Sequence, residues 1–501
     1  MESMNWDKLL NKERLHNDEI EISKGFESKI GVIDPSEYPF EFDYLAASSC
    51  SVLRAMQDKT QVFAFSSSKF VRTRLTHSTE VASIANSIIS MIDRYVSNEL
   101  SKSGNKKPKR SDTLKEIKDY FLERKDDISL VVTTAGLLHD VGNPPFGHKG
   151  EEYLSKIIET WLGKKNQKDL VSNAENRNDL IKVEGNAQTL RYLISENSIK
   201  EMKVINPTYA VLSCLMKYTG NTSSKESLSI QSHIQSHKKG FYLSEQETVE
   251  KIFSKLGILK NNTTHVRNPL AYILEAADDI AYRTADFEDA FIKGLITEKV
   301  ILKKLTDLKN SNSTRDKYCT DNFEQLTVAL KNRKTGQERI EAVHTWLTKL
   351  KLQLIYNTVW SFVINYNDIM KGKFNDELLN DERVFHRKTM TTFEELMEDH
   401  VYNCPEIKQQ DNQAEKILDT LWNYLTEFIR IGSKEDLDGK NFYKLPNRLQ
   451  ENLKLLLEKQ NLDSQDFVYN EIRLVIDFIC SLTDENAREL AHAFTDLEEL
   501  G

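Results

Sequence analysis

Four residues far apart in the chain share one chemistry. His77, His139, Asp140 and Asp278 are all side chains that can ligate a metal. The densest part of the pattern is Leu137-Leu138-His139-Asp140-Val141-Gly142-Asn143-Pro144-Pro145-Phe146-Gly147-His148. The preceding stretch, 128–138, is apolar almost all round, as a buried helix is. Gly142 and then Pro144-Pro145 end it sharply. A lone His-Asp pair carries little information, but a buried helix ending in adjacent imidazole and carboxylate groups is hard to explain by packing. In Arg72-Thr73-Arg74-Leu75-Thr76-His77, Arg74 and His77 sit one helical turn apart and share a face. A ligand beside a guanidinium suits a metal-bound phosphate. In the third segment Asn268 is a good N-cap and Pro269 a good first helical residue. The helix they start places Asp278, Tyr282 and Asp286 on one face among Ala and Ile.

Two imidazoles and two carboxylates suit Mn²⁺, Fe²⁺, Co²⁺, Ni²⁺ or Zn²⁺, and Mg²⁺ less ideally. The cysteines (Cys50, Cys214, Cys319, Cys404, Cys480) are scattered without a CxxC, which argues against a structural zinc site. Four protein ligands leave octahedral positions for water and a phosphate oxygen, an arrangement that activates water and polarises phosphorus. His233 and His237 also have helical spacing, but their Ser-rich surroundings read as a surface loop.

The elements that must position these groups are helices. Ile417, Leu418, Leu421, Trp422, Leu425, Phe428 and Ile429 form one apolar face. Val81, Ile84, Ala85 and Ile88 repeat that period, as do Leu453, Leu456 and Leu457, and Ile472, Val475, Ile476 and Ile479. With 18 Gly and 9 Pro in 501 residues and no series of alternating strands, the class is all-α with at most a short hairpin. Four polar stretches, 97–113, 163–182, 219–240 and 309–321, read as solvated loops, and the first carries the basic cluster 106–110. A net charge of −9 argues against a protein that coats nucleic acid. No run reaches the ~18 apolar residues of a membrane span. The N-terminus lacks a signal-peptide layout, so a cytoplasmic protein without membrane partners is expected. Neither a Walker loop nor a dinucleotide fingerprint occurs.

The set His77…His139-Asp140…Asp278 resembles the HD-domain metal-dependent phosphohydrolases. Gln57-Asp58-Lys59-Thr60-Gln61-Val62-Phe63, the segments around His77 and His139, Glu184-Gly185-Asn186-Ala187-Gln188, and Glu275 to Tyr282 narrow the resemblance to the bacterial deoxyguanosine triphosphate triphosphohydrolase family. Asp477 to Asp484 echoes it near the C-terminus. The resemblance implies an all-helical fold, with a catalytic HD-domain core over 1–300 and a helical C-terminal region over 301–501 that packs on it and completes the nucleotide pocket. It also implies a homo-oligomer, often a hexamer. The implied reaction cleaves a deoxynucleoside triphosphate, dGTP by preference, to deoxynucleoside and tripolyphosphate through attack of metal-activated water at the α-phosphorus.

Carried over by position, His77, His139, Asp140 and Asp278 hold one divalent ion, with Mn²⁺ or Mg²⁺ foremost. His148 and Glu151 form the catalytic pair, with His148 as general acid. Arg74, Asn186, Lys217, Tyr218 and either Lys238 or Lys239 hold the triphosphate. Gln57, Tyr282 and Asp286 hold the deoxyribose, and Arg473 belongs to a base-reading region. Two other readings are another HD phosphohydrolase (for a cyclic dinucleotide, an alarmone or a nucleoside monophosphate) and a nucleotide-sensing or single-stranded nucleic-acid-binding protein on the same fold. The Asn143–His148 extension and the segment 184–188 favour the first reading. Aromatic residues beside basic ones leave single-stranded nucleic acid open as an added partner.

Overall fold

Apolar side chains at helical spacing build the molecule, and polar caps set where its helices begin. Thr73 accepts a hydrogen bond from the Thr76 amide, and Asn268 from the Leu270 amide with Pro269 following. The structure is a computed structural model that describes residues 3–15, 26–28, 31–33, 35–64, 71–102, 111–165, 167, 169–195, 205–222, 238–260, 264–311, 316–331, 333–381, 383–429, 445–458 and 464–499. The basic cluster 106–110 and the pair His233/His237 lie outside these residues.

In chain order, the helices that build and support the site are α1 (Arg74–Ser101), α2 (Lys125–Leu138), α3 (Gly147–Gly163), α4 (Ala174–Ile181), α5 (Gly185–Ile194) and α6 (Tyr209–Leu215). They continue with α7 (Pro269–Ile292), α8 (Lys317–Lys331), α9 (Gly336–Met370), α10 (Pro405–Ile429), α11 (Ser464–Ser481) and α12 (Asp484–Glu499). Apart from isolated bridges, sheet structure among the described residues is two short antiparallel pairs. These are β1 (Phe26–Ser28) with β2 (Gly31–Ile33), and β3 (Leu259–Lys260) with β4 (Thr264–His265). The expected all-α class holds.

The centre is the α1–α2 pair, packed through Val81, Ala85, Ile88, Val131, Val132 and Ala135, all fully buried. Helix α7 lies across both, and α9 covers α1 and α7. The ends of α1 and α2 and the middle of α7 thereby meet at one point. The later helices pack on this centre. Trp422 of α10 meets Trp161 of α3 edge-on at 5.7 Å between centroids. Asp477 of α11 takes a bidentate pair from Arg191 of α5, with Nη2 at 2.8 Å, and an amide bond of 2.7 Å from Gln188.

Three polar stretches depart in part from their expected loops: α1 runs to Ser101 inside 97–113, α8 begins at Lys317 inside 309–321, and the third carries a whole helix. Within 163–182, residues Ala174–Ile181 form α4. Asn173 caps it, and fully buried Asp179 accepts from Arg473 at 2.5 Å and Tyr469 at 2.5 Å. A buried ion pair to α11, invisible in local composition, stabilises a segment whose sequence reads as solvated.

Gly142, just after α2, lies against the backbone of α5. A β-carbon there would lie 2.0 Å from the Thr189 amide nitrogen. Thr189 Oγ1 also accepts from the Gly142 N–H at 3.0 Å and donates to the His139 carbonyl at 3.0 Å. Gly142→Ala is expected to lower unfolding free energy by ~1–3 kcal/mol, as overpacking does. Gly163→Ala, where nothing lies within 4 Å, should leave stability unchanged or slightly raised. Chemical denaturation of the two variants side by side reads the difference.

Candidate active site

The Thr73 cap starts α1 so that Arg74 and His77, each 1% exposed, face inward within its first turn. Helix α2 ends at Leu138, and His139 is its C-cap, with Asp140 next. Asp278 comes from the middle of α7. These elements bring the two imidazoles to 5.3 Å between centroids. Ligand atoms of His77, His139 and Asp140 lie within 4.8 Å of one another. Asp278 Oδ1 lies 3.0 Å from His77 Nε2 and 3.5 Å from His139 Nε2.

The donor set fits a divalent cation. His139 Nδ1–H donates to the Gly136 carbonyl at 2.8 Å, which leaves Nε2 with its lone pair directed into the cluster. That Nε2 is buried and has no hydrogen-bond partner. Asp140 is oriented by Arg74 Nη1 at 2.5 Å and by the Asn143 amide at 2.7 Å. Burial pushes its carboxyl up, but Arg74, His139 and His77 outweigh burial and hold it well below the ordinary range. Burial likewise opposes ionisation of Asp278, and the ammonium of Lys217 bonded to it, with His139 beside it, holds it low. Both carboxylates are therefore held ionised, as candidate ligands must be.

The cluster floors a cleft of about 500 Å³. Arg74, Lys217, Lys238 and Arg283 on its wall are outnumbered by carboxyl groups, among them Glu151, Glu152, Glu275 and Glu394. Burial, with repulsion from nearby carboxylates, pushes Asp279 up to about 6 and Glu377 up to about 8. A polyanion entering such a cleft needs cationic charge beyond what the side chains supply.

His148 and Glu151 face each other one turn into α3, with Nδ1 to Oε2 at 3.3 Å. The His148 side chain is 57% exposed and Glu151 15% exposed. Glu151 raises the proton affinity of His148 through its hydrogen bond and its charge, against the opposing effect of burial. Its other oxygen accepts from the Gly185 amide at 3.0 Å. A side chain at Gly185 would collide with Asn143 Oδ1, 1.7 Å from a built β-carbon, so this position needs glycine for the close approach. Asn186 donates to Glu184 at 2.8 Å and lines the cleft with Tyr218, whose ring Lys238 overlies at 5.8 Å.

Of the residues expected from the sequence, the cleft therefore gathers Arg74, His77, Asp140, His148, Glu151, Asn186, Lys217, Tyr218, Lys238, Asp278 and Tyr282. His139 lies beneath them. Lys238 and not Lys239 faces the cleft. Three expected contacts are placed elsewhere. Gln57 is exposed on the 3-10 turn Met56–Asp58, outside the cleft lining. Asp286 sits behind Tyr282, accepting from the Tyr402 hydroxyl at 3.2 Å, and burial pushes its carboxyl up to about 8. Arg473 is fully buried between α4 and α11, with its guanidinium 3.9 Å over the Tyr242 ring.

Three residues that sequence reasoning passed over have structural weight here. Gln61 lines the cleft, and its buried side-chain carbonyl has no partner. Lys59 donates to the Asn143 carbonyl at 2.6 Å and to the Cys480 carbonyl at 2.7 Å. Asp484, at the start of α12, accepts from the Phe146 amide at 2.9 Å, the Thr60 amide at 3.0 Å and the Thr60 hydroxyl. Phe146 is a non-glycine residue in the left-handed region at φ 66°, two positions before His148. Such a conformation costs ~1–3 kcal/mol and persists only when its surroundings enforce it. Asp484 and Lys59 thus tie the end of the chain to both strands of backbone that shape the catalytic corner. Gln61, Lys59 and Thr60 all fall inside the 57–63 motif, which was the available signal.

Comparison with known proteins agrees with this architecture. Residues 74–281 match the HD domain family, and residues 385–493 match the phosphohydrolase-associated domain. The chain is 30% identical to a deoxyguanosinetriphosphate triphosphohydrolase-like protein of Listeria innocua, over 97% of this chain and 98% of that one. It is 27% identical to a deoxyguanosinetriphosphate triphosphohydrolase of Yersinia enterocolitica, over 93% of each. Among the described residues no helix is long and apolar enough to cross a membrane.

Asp484→Ala is expected to let the Phe146 corner relax and so to lower kcat by about 10- to 100-fold. Bound metal should remain stoichiometric, because no candidate ligand is touched. Single-turnover kinetics with parallel metal analysis separates this outcome from general unfolding, in which metal and activity are lost together.

Proposed function

The chain belongs to the deoxyguanosinetriphosphate triphosphohydrolase-like family of HD-domain phosphohydrolases, and on that premise we propose that it hydrolyses a deoxynucleoside triphosphate, dGTP by preference, to deoxynucleoside and inorganic tripolyphosphate. The observation that carries the reading is the exposed His148 held by Glu151 at one end of a cleft whose floor is the His77/His139/Asp140/Asp278 cluster. A nucleophile generated at that floor and an acid at His148 suit in-line displacement at phosphorus, with a poor alkoxide leaving group that needs a proton.

In this reading the four-residue cluster holds one divalent ion, Mn²⁺ or Mg²⁺. The bound ion would supply Lewis-acid polarisation of the phosphoryl group and acidify the attacking water. Arg74 orients Asp140 with Nη1, while its remaining N–H groups are positioned for phosphate oxygens. Its Nε and Nη2 are buried without partners, which supports that second role. Lys217, Lys238, Asn186 and Tyr218 bind the rest of the triphosphate. Tyr282, fixed by the Tyr402 hydroxyl at 2.6 Å with Asp286 behind, forms the wall against the sugar. Crowding there at C2′ would reject ribonucleotides, and the unpartnered Gln61 carbonyl is available to a sugar hydroxyl. Cytoplasmic location and homo-oligomeric assembly belong to the same proposal. So does the division into a core over 1–300 and a supporting region over 301–501.

The reading is tested by incubating the protein with each dNTP and Mn²⁺ or Mg²⁺ and resolving products by ion exchange. Tripolyphosphate with deoxynucleoside is the expected outcome. Pyrophosphate with a monophosphate would mean cleavage of a different bond.

His148→Ala is expected to bind metal and dGTP nearly normally while kcat falls ~10²–10⁴-fold, the usual range for general acid catalysis. Because Glu151 raises the proton affinity of His148, the acid form survives to higher pH in the intact protein. Glu151→Gln removes that support, so the basic limb of the pH–rate profile should move to lower pH. An unmoved limb would show that His148 is not the titrating acid.

A further inference from the structure

A second cavity of about 610 Å³ lies between α8 and α9 and shares no lining residue with the catalytic cleft. This falls within the ~300–1,000 Å³ of small-molecule sites. Large apolar side chains that face solvent concentrate on it: Tyr318 is 46% exposed, Tyr356 53%, Phe385 54% and Leu352 54%. Tyr318 and Phe385 meet at 4.9 Å between centroids with planes tilted by 46°, and Trp360 stands 6.5 Å from Phe385. These rings form an open aromatic corner with solvent on one side. Leaving it bare exposes apolar surface that burial elsewhere in the molecule would remove.

The polar lining narrows the occupant. Asn322 and Asn357 bring buried amides, at 5% and 7% exposure. Burial holds the His386 imidazole neutral by pushing its proton affinity down to about 4. The one carboxyl group among the described lining residues is Asp321, and no lysine or arginine is among them. A phosphate would meet a carboxylate there with no cation to offset it, and the carboxylate can only accept hydrogen bonds. Flat aromatic faces, amide groups and a lone acceptor carboxylate together suit a planar heteroaromatic ring that carries N–H donors and no phosphate.

We infer that this cavity binds a free nucleoside, stacking its base on Phe385, Tyr318 and Tyr356 and taking base N–H groups on Asp321. The choice of nucleoside rests on the proposed reaction, which releases an uncharged deoxynucleoside. The cavity is also lined by Met91, on the same helix α1 that carries His77, so an occupant touches an element of the catalytic centre.

Trp360 provides a local readout. It is half-buried in the cavity wall, whereas Trp6, Trp161, Trp346 and Trp422 are buried. Acrylamide quenching of the intact protein therefore reports mainly on this residue. Deoxyguanosine is expected to protect Trp360 from quenching, and deoxyguanosine monophosphate at the same concentration is not. Phe385→Ala and Tyr356→Ala, both at exposed positions, should each weaken protection by about tenfold, as loss of one base-stacking ring does, with turnover unchanged. Equal protection by the monophosphate would overturn the inference, as would protection that survives both variants. Trp360 already shielded without ligand, with a sedimentation coefficient that falls in both variants, would assign the face to a second copy of the chain instead. The product assay decides the proposed reaction independently: its failure leaves the Trp360 signal to stand or fall on its own.

Discussion

The structure is organised around one electrostatic problem: two carboxylates and two buried imidazoles converge at the floor of a cleft, with the carboxylates only partly exposed. Asp278 Oδ1 lies 3.0 Å from one ring nitrogen and 3.5 Å from another, with Asp140 beside them. Like charges so close in a low-dielectric site repel strongly, and each loses hydration. Arg74 and Lys217 offset part of this by pairing with Asp140 and Asp278. The unpartnered Nε2 of His139 and the excess of carboxylates on the cleft wall leave a deficit of positive charge that a divalent cation removes. The packing of α1 against α2 and α7 is what holds three distant segments in this otherwise unfavourable arrangement.

The catalytic corner depends on a second, longer-range constraint. Phe146 adopts a left-handed backbone conformation just before His148, and its amide is held by Asp484 from near the opposite end of the chain. Lys59, buried and with its proton affinity pushed down to about 8 mainly by that burial, ties the same corner to the Cys480 carbonyl. The C-terminal helices therefore shape the site without placing a reacting group in it. Arg473 illustrates the difference. It is locked on Asp179 and stacked on Tyr242, where it secures α4 away from the cleft lining.

Much of this arrangement is legible in the sequence. The buried period before His139, the cap at Asn268 and the one-turn spacing of Arg74 and His77 are local facts. They set the helices on which the candidate ligands ride. The pairing of His148 with Glu151 is what the family resemblance implies, and their spacing of one helical turn agrees with it. The residues that escaped reading are those whose roles come from contacts hundreds of positions away. Asp484 and Lys59 sit inside the 477–484 and 57–63 motifs, but nothing local says what each contacts, and Asp179 anchors a helix in a stretch that composition marks as solvated. Gln57 and Gln61 lie in the same short motif, and only the turn at Met56–Asp58 separates the exposed one from the one in the cleft.

If His77, His139, Asp140 and Asp278 act together as a single cation site, losing either carboxylate should empty it. Equilibrium dialysis of metal-stripped protein against Mn²⁺ tests it most directly, using the intact chain beside Asp140→Ala and Asp278→Ala with helical content checked by circular dichroism. One tightly held ion per chain is expected in the intact protein and none in either folded variant. A full equivalent of tightly bound ion in either variant would contradict it.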